Sequence, residues 1–192
     1  MANTTGYMGF KHFGFLPGTI ASYELKATPI NSTTTAIYRG DPVVFSSGVL
    51  VAATTTTSAV DGIFDGCTYT DSTGLTKWSP YCPASQTATG YVLIAPGSLF
   101  QVFSNGTAVS RSNVNKNVSF VVNAGQTTGG GFSGYQIDAG NITTTSTLPF
   151  RIYGLLSDYA PSGVNGTDNS SNNNIAIVTF NSTDFKAGTT GV

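Results

Sequence analysis

Three aspartates, Asp61, Asp65 and Asp71, fall within one short stretch of the chain. Two carboxylates facing each other across a cleft would suit glycoside hydrolysis, and several oxygen ligands together would suit calcium. Asp61 and Asp71 stand beside glycine or serine in turn-like settings, where aspartate bonds its own backbone. Calcium loops also require ligands at tighter spacing than this. Asp65 alone falls in the middle of a strand pattern, where a charge marks an edge or a bulge. The sole histidine, His12, has no partner at a triad spacing. Cys67 and Cys82 lack the second ligand pair that zinc needs, and read as two reduced, half-buried thiols rather than a disulfide. Gly129, Gly130 and Gly131 are not followed by Lys-Ser/Thr, so they do not form a phosphate loop. Arg39-Gly40-Asp41 matches an adhesive tripeptide, but Pro42 and a strand follow at once, which a turn before a strand explains. No nucleophile, base and oxyanion hole assemble, so the chain reads as a non-enzyme without catalytic, cofactor-binding or metal-binding residues.

The elements around these residues are strands. The chain has 192 residues, enough for one domain burying roughly 70% of its unfolded surface. Only 9% are charged, against about 25% in an ordinary soluble domain. Polarity comes instead from Thr, Ser, Asn and Gly, while Glu24 is the sole glutamate. Val, Ile, Thr, Tyr and Phe are strand formers, so an all-β domain is expected. A net charge of −1 without a Lys/Arg cluster excludes a nucleic-acid partner. The longest apolar run, Tyr91 to Ala95, is far short of the roughly 20 residues of a membrane span, so no membrane partner is expected. Residues 1–5 lack the basic region of a secretory signal. Several Asn-x-Ser/Thr sequons, such as Asn117-Val118-Ser119 and Asn181-Ser182-Thr183, then read as chance products of an Asn/Ser/Thr-rich chain.

Strand candidates recur at short intervals: Tyr23–Ala27, Thr34–Tyr38, and a pair within Gly40–Ala53 turning at Ser46-Ser47-Gly48. Thr54–Ser58 is a low-complexity connector. In the next strand, Ile63, Asp65, Cys67 and Tyr69 share one side, opposite Phe64, Thr68 and Thr70. A turn over Asp71–Gly74 returns the chain through Lys77 to Cys82. Gly90–Gly106 holds two strands joined at Pro96-Gly97, apolar enough to be buried on both faces. Arg111–Asn117 forms a helical turn before Val118, Phe120 and Val122 alternate inward. Phe150–Leu156 and Ile175–Phe180 close the core, and the polar loop Ser162–Asn174 between them projects into solvent. This spacing predicts a single-domain β-barrel or β-sandwich with short strands and long polar loops.

Residues 1–22 stand apart from the 23–192 domain as an extended N-terminal arm or a first strand. Tyr7, Met8, Phe10, Phe13, Phe15 and Leu16 crowd this segment between Gly6 and Gly18. Gly9 and Gly14 disfavour a helix, and the strand alternation is imperfect. An extended arm tolerates both, which makes these six residues candidates for binding a partner.

From Tyr38 to Phe185 the chain resembles the capsid decoration (cement, or auxiliary head) proteins of tailed bacteriophages. The resemblance runs through "GDPVVFSSGVLVAA", "DGIFDGCTYTDSTG", "KWSPYCPA", "VNKNVSFVVNAGQTTGGGFSGYQID", "LPFRIYGLL" and "NIAIVTFNSTDF", in that order. It implies a viral structural protein, made in the host cytoplasm, that binds the outer capsid surface of the virion and stabilises it. The implied partners are the major capsid protein and neighbouring copies of itself, commonly as a trimer. The alternative is a carbohydrate-binding or adhesive β-sandwich of a fibre or cell surface. That reading requires a groove lined by aromatics with polar partners, for which Trp78 and Tyr81 are the sequence candidates.

Overall fold

Runs rich in Val, Ile and Phe become strands, and glycine, proline and asparagine mark the breaks between them. The computed structural model describes residues 2–32, 35–54, 59–183, 188, 190 and 191. Thr34, residues 55–58 and residues 184–185, on which the sequence reading drew, lie outside the described residues. In chain order the strands are β1 (Lys11–Phe15), β2 (Leu25–Ile30), β3 (Ile37–Tyr38), β4 (Pro42–Ser46) and β5 (Val49–Ala52). Then come β6 (Gly62–Thr70), β7 (Thr76–Ser79), β8 (Tyr81–Cys82), β9 (Ala88–Leu93) and β10 (Ser98–Phe103). The last are β11 (Asn117–Val118), β12 (Phe120–Val121), β13 (Gln136–Ile137), β14 (Phe150–Leu155) and β15 (Ile175–Phe180). Among the described residues the only helical elements are single 3-10 turns at Arg111–Asn113, Ala139–Asn141 and Leu156–Asp158, none long enough to cross a membrane.

The protein is all-β, with antiparallel sheets packed in the manner of a sandwich and no closed barrel. One sheet runs β1-β10-β15-β14-β11; the other runs β2-β9-β6-β4-β5, with β7 added to the far end of β6. Two short ladders, β3-β8 and β12-β13, lie beside them. The β4–β5 hairpin turns on Ser47 and Gly48, whose φ angles of +50° and +82° suit a type I′ turn. Pro96-Gly97 does not close a hairpin. It carries the chain out of one sheet at β9 and into the other at β10, so the two apolar strands never pair.

The main core lies between the sheets. Phe150 is its centre: Phe10 stacks on it with ring centroids 4.3 Å apart, and Phe180 and Phe120 follow at 5.9 and 6.3 Å. Val102, Ile137, Ile152 and Val178 fill the space around these rings. A second core sits inside the curl of the larger sheet, built from Ile30, Ile37, Val43, Leu50, Phe64 and Val92. Cys67 and Cys82 belong to it and are fully buried, not half-buried; both are free thiols. The contact between the two thiols, and then burial, pushes the pKa of Cys67 up. A third cluster, including Leu99, Phe103, Ile175 and Ile177, covers the outer face of the β1-β10-β15-β14-β11 sheet. Strands β10 and β15 are therefore buried on both faces, as their apolar runs predict.

Two expected alternations fail for identifiable reasons. The β6–β9 register slips between Phe64 and Gly66, so Asp65 is a bulge residue. Ile63 then faces the main core, while Phe64, Cys67 and Tyr69 face the second. Val122 lies just past the end of β12 and is exposed, unlike Val118 and Phe120.

The tripeptide Arg39-Gly40-Asp41 is an internal junction. Gly40 donates its N–H to the Phe64 carbonyl (2.8 Å) and accepts from the Phe10 N–H (2.9 Å). Its φ of +93° and the Met8 carbonyl, which a Cβ would meet at 2.8 Å, reserve the position for glycine. Arg39 donates its N–H to the carbonyls of Pro80 (2.9 Å) and Gly131 (3.1 Å), and its own carbonyl accepts from Ser133 (2.9 Å). Asp41 is 1% exposed, with Oδ2 accepting from the Tyr38 N–H at 2.8 Å and Oδ1 meeting no partner at hydrogen-bond geometry. Burial pushes its pKa up to about 7, against the opposing pull of the Ser133 hydroxyl and the Tyr38 N–H.

Two outcomes test this packing. Phe10→Ala should lower unfolding free energy in urea by about 3–5 kcal/mol, while Tyr7→Ala at the exposed end of the same segment stays within about 0.5 kcal/mol of the parent. Deleting residues 1–18 removes Phe10 and β1 together, and should abolish cooperative unfolding rather than leave an intact domain. The second outcome concerns pH. A carboxyl whose folded-state pKa lies above its unfolded value of 3.8 contributes stability below pH 4 and loses it as pH rises towards 7. Asp41→Asn keeps an acceptor for Tyr38 and cannot ionise. The stability of the variant relative to the parent should rise between pH 4 and 7, with a ceiling of about 4 kcal/mol, and stay level above that.

Candidate functional site

The N-terminal segment is an edge strand, not a free arm. Gly9 (φ +60°) brings the chain so close to Ser133 that a Cβ would lie 2.3 Å from the serine Cβ, and this approach delivers Phe10 to the core. Strand β1 then pairs with β10, with His12 opposite Phe100 and Gly14 opposite Leu99, so Phe13 is an extra residue in a bulge. That bulge accounts for the broken alternation read in the sequence.

The six predicted partner-binding residues are thereby divided. Phe10 lies in the protein's own core, and Phe15 packs against that core from its edge. Met8 and Leu16 help cover the third cluster. Tyr7 (53% exposed) and Phe13 (36%) remain available. Tyr7 borders a depression with Asn123, Gly134 and Gln136. Phe13 instead meets Tyr159 edge-on at 5.2 Å, and Tyr159 is itself 51% exposed. Tyr159 was not legible as a site residue, because its partner is supplied by a bulge more than a hundred residues away in sequence.

The support beneath this aromatic pair is polar and ordered. Arg111 grips Asp158 through both guanidinium nitrogens, and that ion pair holds the Asp158 carboxyl below its ordinary pKa. The loop Ser162–Asn174 does not simply project into solvent. Asn3 donates from Nδ2 to the Asp168 carbonyl (2.7 Å) and accepts at Oδ1 from the Gly166 N–H (2.9 Å). Thr4 and Asn165 exchange two further bonds, so the start of the chain ties the loop down.

A separate cleft opens on the other side of β1. Its volume is about 350 Å3, with Phe10, Ile63, Phe64, Leu93 and Phe100 forming an apolar floor. Lys11, His12, Tyr23, Arg39, Asp65 and Phe132 surround the mouth. Asp65 Oδ1 accepts from the Tyr23 hydroxyl (3.1 Å) and from Arg39 Nε (3.0 Å) and Nη2 (2.8 Å). The His12 ring sits among Phe15, Tyr23 and Phe100, and its Nε2 has no partner in the protein. Desolvation lowers the His12 pKa, while a bond to the Gly14 backbone and the charge of Asp65 oppose that shift.

The remaining sequence candidates do not converge. Asp61 accepts from the Phe45 N–H at 2.6 Å. Asp71 organises its own turn by accepting from Thr73 (2.8 and 2.6 Å) and Leu75 (3.1 Å), with Lys77 at 2.5 Å. Strand β6 separates these two aspartates, which puts them roughly 30 Å apart along an extended chain. Trp78 lies over Gly66 on its own hairpin, and Tyr81 stacks on Tyr38 at 5.8 Å. Among the described residues, no group of three His, Cys, Asp or Glu is arranged to hold a metal ion. Comparison with protein-family models, with characterised proteins and with solved structures finds no match, so a functional reading of this chain rests on the exposed aromatic pair and the cleft themselves.

Proposed function

We propose that this protein is a non-catalytic capsid decoration module, which binds the outer surface of an assembled phage shell and stabilises it. The observation that carries the reading is the exposed Phe13–Tyr159 pair. Two large rings, one on the β1 bulge and the other next to the Arg111–Asp158 ion pair, meet as an exposed apolar contact; among the described residues Ile20, Leu75 and Trp78 are bare elsewhere but meet no second exposed ring in this way. Aromatic anchors of this kind dominate binding energy, and neutral polar surroundings form an interface rim without strong charge selection. The near-neutral net charge also suits an outer shell surface, away from nucleic acid. In this reading the partners are the major capsid protein and neighbouring copies of the chain, grouped as trimers on the shell.

Binding only to the assembled state stabilises it by mass action, by roughly 2.7 kcal/mol per site at a hundredfold excess over Kd. Purified protein should therefore add to expanded shells and raise their melting temperature. Phe13→Ala with Tyr159→Ala should remove most of that increment, while the monomer's own melting temperature moves little, because both rings are half exposed. Shells that melt identically with and without saturating protein would refute the proposal.

A further inference from the structure

We infer that the cleft between β1 and β6 is a binding site for one neutral saccharide ring, an inference that goes beyond shell binding and does not depend on it. The argument begins with size. A volume of about 350 Å3 lies at the low end of the range for small-molecule sites, roughly 300–1,000 Å3. At about 30 Å3 per water-sized group it holds roughly a dozen heavy atoms, about one hexopyranose.

The chemistry of the walls then selects the class. The floor is apolar and aromatic, and at the mouth Tyr23 (44% exposed) and Phe132 (37%) present partly bare rings. A ligand that lies there must offer an apolar face. Arg39 and Asp65 at the mouth form a fixed, mutually neutralised pair, with Lys11 beside them. Both Tyr23 and Arg39 contact Oδ1 of Asp65, which leaves Oδ2 to accept. Arg39 directs Nε and Nη2 towards Asp65, which leaves the rest of its fork to donate. An acceptor and a donor fork locked together match neighbouring hydroxyls, since each hydroxyl both donates and accepts. An anion would meet Asp65, a cation would meet Arg39 and Lys11, and a hydrocarbon would leave the ion pair desolvated without partners. A pyranose, with C–H bonds on its faces and hydroxyls on its rim, satisfies every wall. His12 Nε2, enclosed beside the cleft and unpaired, is a further polar group that a hydroxyl would serve.

The test uses the full chain with methyl glycosides of glucose, galactose, mannose, N-acetylglucosamine and, as the anionic comparison, glucuronic acid, read by saturation-transfer NMR and titration calorimetry at low and high salt. At least one neutral glycoside should bind with Kd in the millimolar range, about that of a single small ligand. Asp65→Asn and Phe132→Ala should each weaken it about tenfold or more, with thermal melting of both variants confirming that they fold. Trp78→Ala, outside the cleft, should bind as the parent does. So should the Phe13→Ala/Tyr159→Ala protein, which separates this site from shell binding. Absence of saturation transfer at about 20 mM from every neutral glycoside would overturn the inference. So would transfer that survives both cleft substitutions, or salt-sensitive preference for an acidic sugar, which would assign the cleft to anions through Lys11.

Discussion

The two hydrogen bonds of Gly40 are the constraint on which the sandwich depends. One reaches β6 of the larger sheet through the Phe64 carbonyl, and the other holds the Phe10 amide at the entrance to β1 of the smaller sheet. Phe10 is thereby fixed against Phe150, and β1 is aligned on β10. Side-by-side placement of Gly9 and Gly40 leaves no room for a Cβ on either. The adjacent Asp41 carboxyl is buried at the same junction, where desolvation raises its pKa. A tripeptide that suggests adhesion on paper is thus the point where the sheets are joined, and its aspartate is out of reach of any receptor.

Bulges, more than regular strands, decide what this fold presents to its surroundings. Among the described residues three strands carry one: Phe13 is the extra residue in β1, Asp65 in β6 and Tyr153 in β14. A bulge re-aims its side chain while the ladder continues on either side. Phe13 is turned to Tyr159, Asp65 to Tyr23 and Arg39, and Tyr153 to the outer-face cluster. Asp65 stands on β6, which is paired on both sides, whereas Phe13 stands on β1, an edge strand held by β10 alone. The bulge and Lys11 on β1 also interrupt an edge that would otherwise template pairing with another chain.

This explains which parts of the molecule could be read from residues alone. Local signals were legible: Ser47-Gly48 and Asp71–Gly74 turn where their chemistry requires, and Phe150–Leu155 and Ile175–Phe180 are the central strands. Asp65 was legible as an irregularity, an edge or a bulge, because a charge interrupts its strand, and the register shows which. Sheet membership was not, because a Pro-Gly turn looks the same whether it closes a hairpin or crosses between sheets. The cleft was also hidden, since Tyr23, Arg39, Asp65 and Phe132 come from four separate segments and none has a signature of its own. The aromatics of Gly6–Gly18 had the composition of a sticky arm. Only three-dimensional register reveals that one ring belongs to the core and another to the surface.

Buried asparagines, not charged side chains, fasten several loops to the strands of this fold. Asn174 is fully buried and copies a strand partner for Val109, accepting from its N–H at 2.9 Å and donating to its carbonyl at 2.8 Å. Asn181 donates to the carbonyls of Ser146 (2.9 Å) and Leu148 (2.8 Å), and Asn117 donates to that of Thr145 at 3.0 Å. A side-chain amide satisfies a donor and an acceptor together without the desolvation penalty of a charge, so it can tie loops to strands inside a low-dielectric interior. Asn117 and Asn181 are also the first residues of two of the chain's sequons, and they are 0% and 2% exposed with their amides engaged. A glycan on either would have to break those bonds and enter the core, so in the folded protein these residues fasten loops and do not carry sugar.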